Sequence, residues 1–203
     1  HQPQLSKTIL KLGVPTGVQM VTTSVAGLVI VGLVNRYGAE ATAAYGAVNQ
    51  VLNYIQFPAL SIAIAASVFA AQAIGAGKSD LLNKVTRTAL IMNILFTGGL
   101  VILAYLFSKY LMALFITDPQ VVVLGQKLLF IVLWAILFFG ASAIFASIMR
   151  SSGTVTMPML INIFAILCIE VPAAYLFSRW WGLEGIWYAY ALAFVSMCIL
   201  QGL

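Results

Sequence analysis

VPTGVQMVTTSVAGLVIVGLV, residues 14–34, runs for 21 residues without a charged side chain. Its proline stands at the start, where a missing N–H costs a helix least. A helix rises 1.5 Å per residue and the hydrocarbon core of a bilayer is about 30 Å thick, so roughly 20 apolar residues make one crossing. The stretch reads as a membrane span. The rest of the 203-residue chain continues in kind: 63% of residues are hydrophobic, 7% are charged, and the mean hydropathy is +1.06. A soluble domain carries about 25% charged residues, so this composition excludes one.

Marking where charges stop gives five further spans. Between Glu40 and Lys78 the uncharged run exceeds one crossing but is too short for two and a turn, so residues 43–74 read as one long helix kinked at Pro58. Arg87 and Lys109 bracket a span at 88–108, and Lys127 and Arg150 bracket another at 128–149. The fifth, 157–178, contains Glu170 and Pro172, and the sixth covers 185–203. The expected fold is all-α, a polytopic six-transmembrane-helix bundle over residues 13–203, with 1–12 outside the membrane. Asn35-Arg36-Tyr37-Gly38 and residues 75–80 read as short turns, and Thr117-Asp118-Pro119 as the cap of a short interfacial helix starting at Pro119. Trp180, Trp181 and Trp187 flank the last loop, at the depth where aromatic rings settle.

Lysines and arginines set the orientation. With the N-terminus inside, Lys7, Lys11, Lys78, Lys84, Arg87 and Arg150 fall on the cytoplasmic side, against Arg36, Lys109, Lys127 and Arg179 outside. That excess favours a cytoplasmic N-terminus in the cell membrane. The net charge of +5 then reflects topology, and no Arg-rich stripe with interleaved aromatics points to a nucleic-acid partner. The first residue is His1, with no initiator Met and no signal-peptide n-region, so the chain reads as part of something longer.

Catalytic classes fall away one by one. Cys168 and Cys198 lie apart in apolar runs, and His1 is the sole histidine, which leaves neither a disulfide framework nor a metal site. Asp80 and Asp118 both lie in loops, so the paired membrane aspartates of an intramembrane protease are missing, as are His-Glu-x-x-His and a Walker A loop. The chain is read as no enzyme, without cofactor or bound metal.

Polar groups inside the spans are the informative ones. Asn49, Asn53 and Gln56, with Gln50 beside them, give the second span a polar face at i, i+4 and i+7. Such a face looks either at another helix or at a water-filled cavity. Further along, Ala63, Ser67, Ala71 and Gly75 recur every four residues and read as a seam for close packing. Glu170 is the one carboxylate well inside a span, with no Lys or Arg at comparable depth. An acid there either exchanges a proton or binds a cation, or else stays as a neutral hydrogen-bonded group.

Several segments together resemble the multidrug and toxic-compound extrusion (MATE) family of secondary transporters, most closely its C-terminal lobe. They are Lys11-Leu12-Gly13-Val14-Pro15-Thr16-Gly17-Val18-Gln19-Met20, Val34-Asn35-Arg36-Tyr37-Gly38, Ala43-Ala44-Tyr45-Gly46-Ala47 and Ala71-Gln72-Ala73-Ile74-Gly75-Ala76-Gly77. Met149-Arg150-Ser151-Ser152-Gly153, Met157-Pro158-Met159, Glu170-Val171-Pro172-Ala173-Ala174-Tyr175 and Gly182-Leu183-Glu184-Gly185-Ile186-Trp187 complete an ordered set over nearly the whole chain. The resemblance implies twelve spans in two lobes, an N-terminal six-helix lobe missing here, and residues 1–12 as the cytoplasmic connection between lobes. It also implies export of drugs or organic cations in exchange for H⁺ or Na⁺ by alternating access.

Some cation-coupled members carry a glutamate eight residues after the first-span proline, where this chain has Thr23. They carry an aspartate eleven residues before the arginine ending the fourth span, and a tyrosine four residues before that; here these are Phe139 and Ala135. The coupling acid is then expected in the missing lobe, with Glu170 the local substitute. Gln19, Thr23, Asn49, Asn53 and Asn162 are the candidates for binding an amphipathic organic cation, and Glu170 for ion or proton coupling. A lipid-linked oligosaccharide or peptidoglycan-precursor flippase of the same superfamily, and a non-transporting membrane scaffold, remain as alternatives.

Overall fold

A computed structural model describes residues 3–78 and 80–203, with side chains from residue 13 onward. Of the stretch 1–12, His1 and Gln2 lie outside the described residues; from Pro3 the backbone is helical and continuous with the first span, α1 (Pro3–Val34), so Pro15 lies inside the helix and not at its start. A tight turn at Asn35–Tyr37 leads into α2 (Ala39–Gly75), which holds Pro58 within its length. Then follow α3 (Asp80–Leu106), the short α4 (Ser108–Ala113), α5 (Pro119–Val132), α6 (Ile136–Ser151), α7 (Thr156–Phe164), α8 (Val171–Trp181) and α9 (Leu183–Gly202). These compose six helical stretches long and apolar enough to cross a membrane.

Two of the six are composite. Asp118 caps α5 by accepting a hydrogen bond from the Gln120 N–H at 2.8 Å, and Pro119 takes the first helical position. The helix that begins there is not the short interfacial one expected from sequence. No helix breaker follows it, so it runs through a 3₁₀ turn at Leu133–Ala135 into α6 as a single crossing, Pro119–Ser151. The short element is α4. The fifth crossing joins α7 to α8 through a π-helical turn, Ala165–Glu170, in which the Val171 N–H donates to the Ile166 carbonyl five residues back. Pro172 follows at once and brings no N–H to the ladder, and a widened turn accommodates such a loss.

The core lies where α2, α5, α6 and α9 meet: Val48, Leu128, Leu129, Val132, Leu133, Ile136 and Trp187 are fully buried. Large apolar side chains such as Leu28, Ile94, Leu95 and Leu106 point outward, as a lipid-facing surface requires. The small-residue seam of α2 differs from the expected one. Ala59, Ala63, Ala66, Ala70 and Ala73 are buried, whereas Ala71 and Gly75 are exposed. A strict four-residue repeat advances about 40° beyond each full turn, so it drifts off an interface that alternating steps of three and four follow.

At the α8–α9 corner, Gly182 holds φ at +62°, a backbone region that side chains disfavour. Three residues on, a Cβ at Gly185 would stand 2.2 Å from the Phe177 carbonyl oxygen. Only a glycine lets these two helices approach so closely.

Candidate functional site: a polar cavity at membrane depth

The face of α2 that carries Asn49, Asn53 and Gln56 looks into a cavity of about 390 Å³. Opposite it, α1 contributes Gln19 and Thr23, α7 contributes Asn162, and the end of the π turn contributes Glu170. All six residues singled out from sequence therefore line one space. α6 closes it with Phe139, Ser142 and Arg150, and α9 with Tyr190, Phe194 and Met197.

Hydrogen bonding decides what these walls offer. The Asn49 Nδ2 donates to the Tyr45 carbonyl at 3.0 Å, and the Asn162 Nδ2 donates to the Pro158 carbonyl at 2.7 Å. A carbonyl oxygen only accepts, so the nitrogen must face the backbone in both residues and Oδ1 is left pointing away from it. The Thr23 hydroxyl spends its one proton on the Gln19 carbonyl at 3.0 Å, which leaves its lone pairs open. Glu170 is 7% exposed, and its carboxylate makes no hydrogen bond or ion pair among the described residues. The cavity thus presents oxygen acceptors and one carboxylate, together with the Arg150 guanidinium and the amides of Gln19, Asn53 and Gln56. The carboxylate and the acceptor oxygens suit a cation, and the Arg150 donors suit an anion.

Thr23 and Phe139, the positions where cation-coupled relatives are expected to hold acids, both face this cavity. Phe139 stacks against Phe194 at a centroid distance of 5.2 Å, giving that part of the wall an apolar surface. Glu170 is the one carboxylate in the lining. Among the described residues no three His, Cys, Asp or Glu side chains converge.

Arg150 and Tyr190 are among the lining residues that the sequence reading missed. Arg150 ends a span and was counted only as a cytoplasmic charge, yet it reaches into the lining and is held by a 3.4 Å hydrogen bond to Ser147 Oγ. Tyr190 carried a signal that went unused: Tyr190, Phe194 and Met197 stand at i, i+4 and i+7 on α9. Its hydroxyl shares a hydrogen bond with the Tyr45 hydroxyl at 3.0 Å, and Trp187 lies against both rings.

The family model MatE matches residues 15–176, which takes in most of the first five crossings and every one of the six candidate residues. The chain belongs to the MatE family. It is 44% identical over 202 residues to the Probable multidrug resistance protein YoeA of Bacillus subtilis, covering 98% of this chain and 44% of that protein. With the Probable multidrug resistance protein NorM of Thermotoga maritima it shares 26% identity over 183 residues, 89% of this chain and 39% of that one. This MatE chain spans less than half the length of these curated relatives. The solved structure of the Vibrio cholerae MATE transporter VcmN in its bent form superposes with a TM-score of 0.92 at 15% identity, over 100% of this chain and 46% of that one. A MOP superfamily transporter from Pyrococcus furiosus gives 0.89 at 20% identity, over 97% and 44%. The fold is that of one six-helix lobe of a MATE transporter.

Proposed function

We propose that this lobe serves, within a full-length protein holding a second six-helix lobe, as one wall of a secondary exporter for amphipathic organic cations. The supporting observation is the cavity that Gln19, Thr23, Asn49, Asn53 and Asn162 line together with Glu170. Ionised, Glu170 attracts a cationic drug; loaded with H⁺ or Na⁺, it no longer does. Drug and coupling ion then compete for one carboxylate, and competition of that kind links export of one to entry of the other. The neutral acceptors Asn49, Asn162 and Thr23 orient the drug without adding charge, which suits a broad range of cations. Alternating access requires the second lobe to close the other side of the cavity.

The first test is accumulation of a fluorescent organic cation in efflux-deficient cells expressing the full-length parent. Lower accumulation that returns to baseline with an uncoupler supports ion-driven export; no change, with the protein present in the membrane, removes that reading. Arg150 favours a second one. A cation in the lining suits the phosphate of a lipid-linked precursor, so a flippase of the same superfamily stands next if export fails. The proposal places the N-terminus of this lobe on the cytoplasmic side of the cell membrane. On a Cys-free background, Ser79→Cys should then react from inside and Gly38→Cys from outside; the reverse pattern overturns the orientation.

A further inference from the structure

A second recess lies away from the polar cavity, at the corner where α8 turns into α9. The sharp turn at Gly182 and the close approach at Gly185 bring Phe177 and Trp181 beside Tyr188, with Trp181 5.2 Å from Phe177 and 5.8 Å from Tyr188 at steep interplanar angles of 63° and 60°. The 3₁₀ turn in the fourth crossing buries Leu133 and Ala135 and turns Trp134 outward between them. Trp134, Phe177, Trp181 and Tyr188 border a space of about 590 Å³ with Glu184 among them.

Aromatic rings at a span end are ordinary belt residues. This group borders an open recess that also contains a carboxylate, itself paired with a lysine. Glu184 lends one oxygen, Oε1, to the Lys127 ammonium, a pair whose side chains are 33% and 62% exposed respectively. Ring faces attract cations, and the second Glu184 oxygen is uncommitted among the described residues. Away from the charges, Leu192 and Val195 continue the lining one turn deeper along α9. The recess therefore offers a negative group bordered by rings, a positive group beside it, and an aliphatic strip running along α9.

We propose that this recess binds the zwitterionic headgroup of a membrane phospholipid. Its ammonium sits against Glu184 among the rings, its phosphate on Lys127, and an acyl chain along Leu192 and Val195. The existing ion pair is replaced charge for charge, so no group is left unpaired on binding. The proposal needs only that the chain spans a membrane, and stands or falls apart from the export reading.

The test is native mass spectrometry of the purified, delipidated full-length parent titrated with dioctanoyl phosphatidylethanolamine, and with dioctanoyl phosphatidylglycerol as the anionic control. The ethanolamine lipid should bind about tenfold more tightly than the glycerol lipid, and Glu184→Gln should erase that preference. Lys127→Met should weaken ethanolamine-lipid binding roughly threefold, because the phosphate loses its partner. Trp181→Phe keeps a ring and the packing, and should weaken it about threefold, since an indole face holds a cation best. Equal binding of the two lipids, or a Glu184→Gln variant that keeps the preference, overturns the proposal. So does displacement of the lipid by benzyltrimethylammonium with tighter binding of that cation in Lys127→Met, which marks a free-cation site. Should Glu184→Gln fail to fold, Trp181→Phe decides: unchanged binding refutes the cage.

Discussion

Two groups of polar side chains sit at membrane depth in this lobe, and they are built in opposite ways. Between α3 and α6, Asn93 donates from Nδ2 to the Leu137 carbonyl at 3.2 Å and accepts at Oδ1 from the Thr97 hydroxyl at 3.0 Å. Both residues are fully buried, and a Cβ at Gly140 would stand 2.2 Å from the Asn93 oxygen. One bond crosses from α3 to α6, the other stays within α3, and no space remains. Across the lobe, Asn49 and Asn162 bond back to their own helices and turn their oxygens away from the backbone, beside a carboxylate that bonds to nothing described. Asn93 spends a hydrogen bond across the interface, whereas Asn49 and Asn162 spend theirs within their own helices and keep the remainder toward the cavity.

Four substitutions in the full-length parent break or sharpen that contrast. Glu170→Gln should abolish uphill export of the fluorescent cation and weaken its equilibrium binding, because the competing carboxylate is gone, while leaving the melting temperature in place. Export at the normal rate would remove Glu170 from the mechanism. Gly140→Ala should do the reverse. The added methyl must displace an Asn93 amide held at both ends, costing about 1–3 kcal/mol of stability, read as a lower melting temperature in detergent. Asn49→Ala, assayed by equilibrium binding, should weaken the cation about threefold with stability changed by less than about 0.5 kcal/mol. Thr97→Val is the mildest: loss of one hydrogen bond at about 0.6 kcal/mol, visible in a denaturant or thermal titration and silent in transport. If Asn49→Ala proved as destabilising as Gly140→Ala, the two groups would be alike and the cavity wall would be packing.

The six crossings were legible because charge is so scarce that its gaps outline them. The six candidate residues were legible through a simpler fact: a polar side chain in an apolar run stands out, and helical spacing says which ones share a face. What sequence could not supply was the partner of each face. Asn93 and Thr97 are also polar, also at i and i+4, and differ from Asn49 and Asn53 only in having Gly140 and the Leu137 carbonyl opposite them. Arg150 was hidden for another reason. At a span end, a cation that sets topology and one that reaches into a cavity look the same in a row of letters. The π turn left no periodic trace, because five or six residues are too few to show a changed period.

The glycine at position 185 has a mechanical consequence. With the α8 carbonyl of Phe177 seated where its side chain would be, α9 is notched against α8 like a dovetail. Any larger side chain at this point would collide with that carbonyl, so the contact fixes how α9 sits against α8 at the corner. On the other side of α8 the ladder widens into the π turn before Pro172. The carboxylate of Glu170 therefore stands where a widened turn meets the helix that leads into the close-fitting corner.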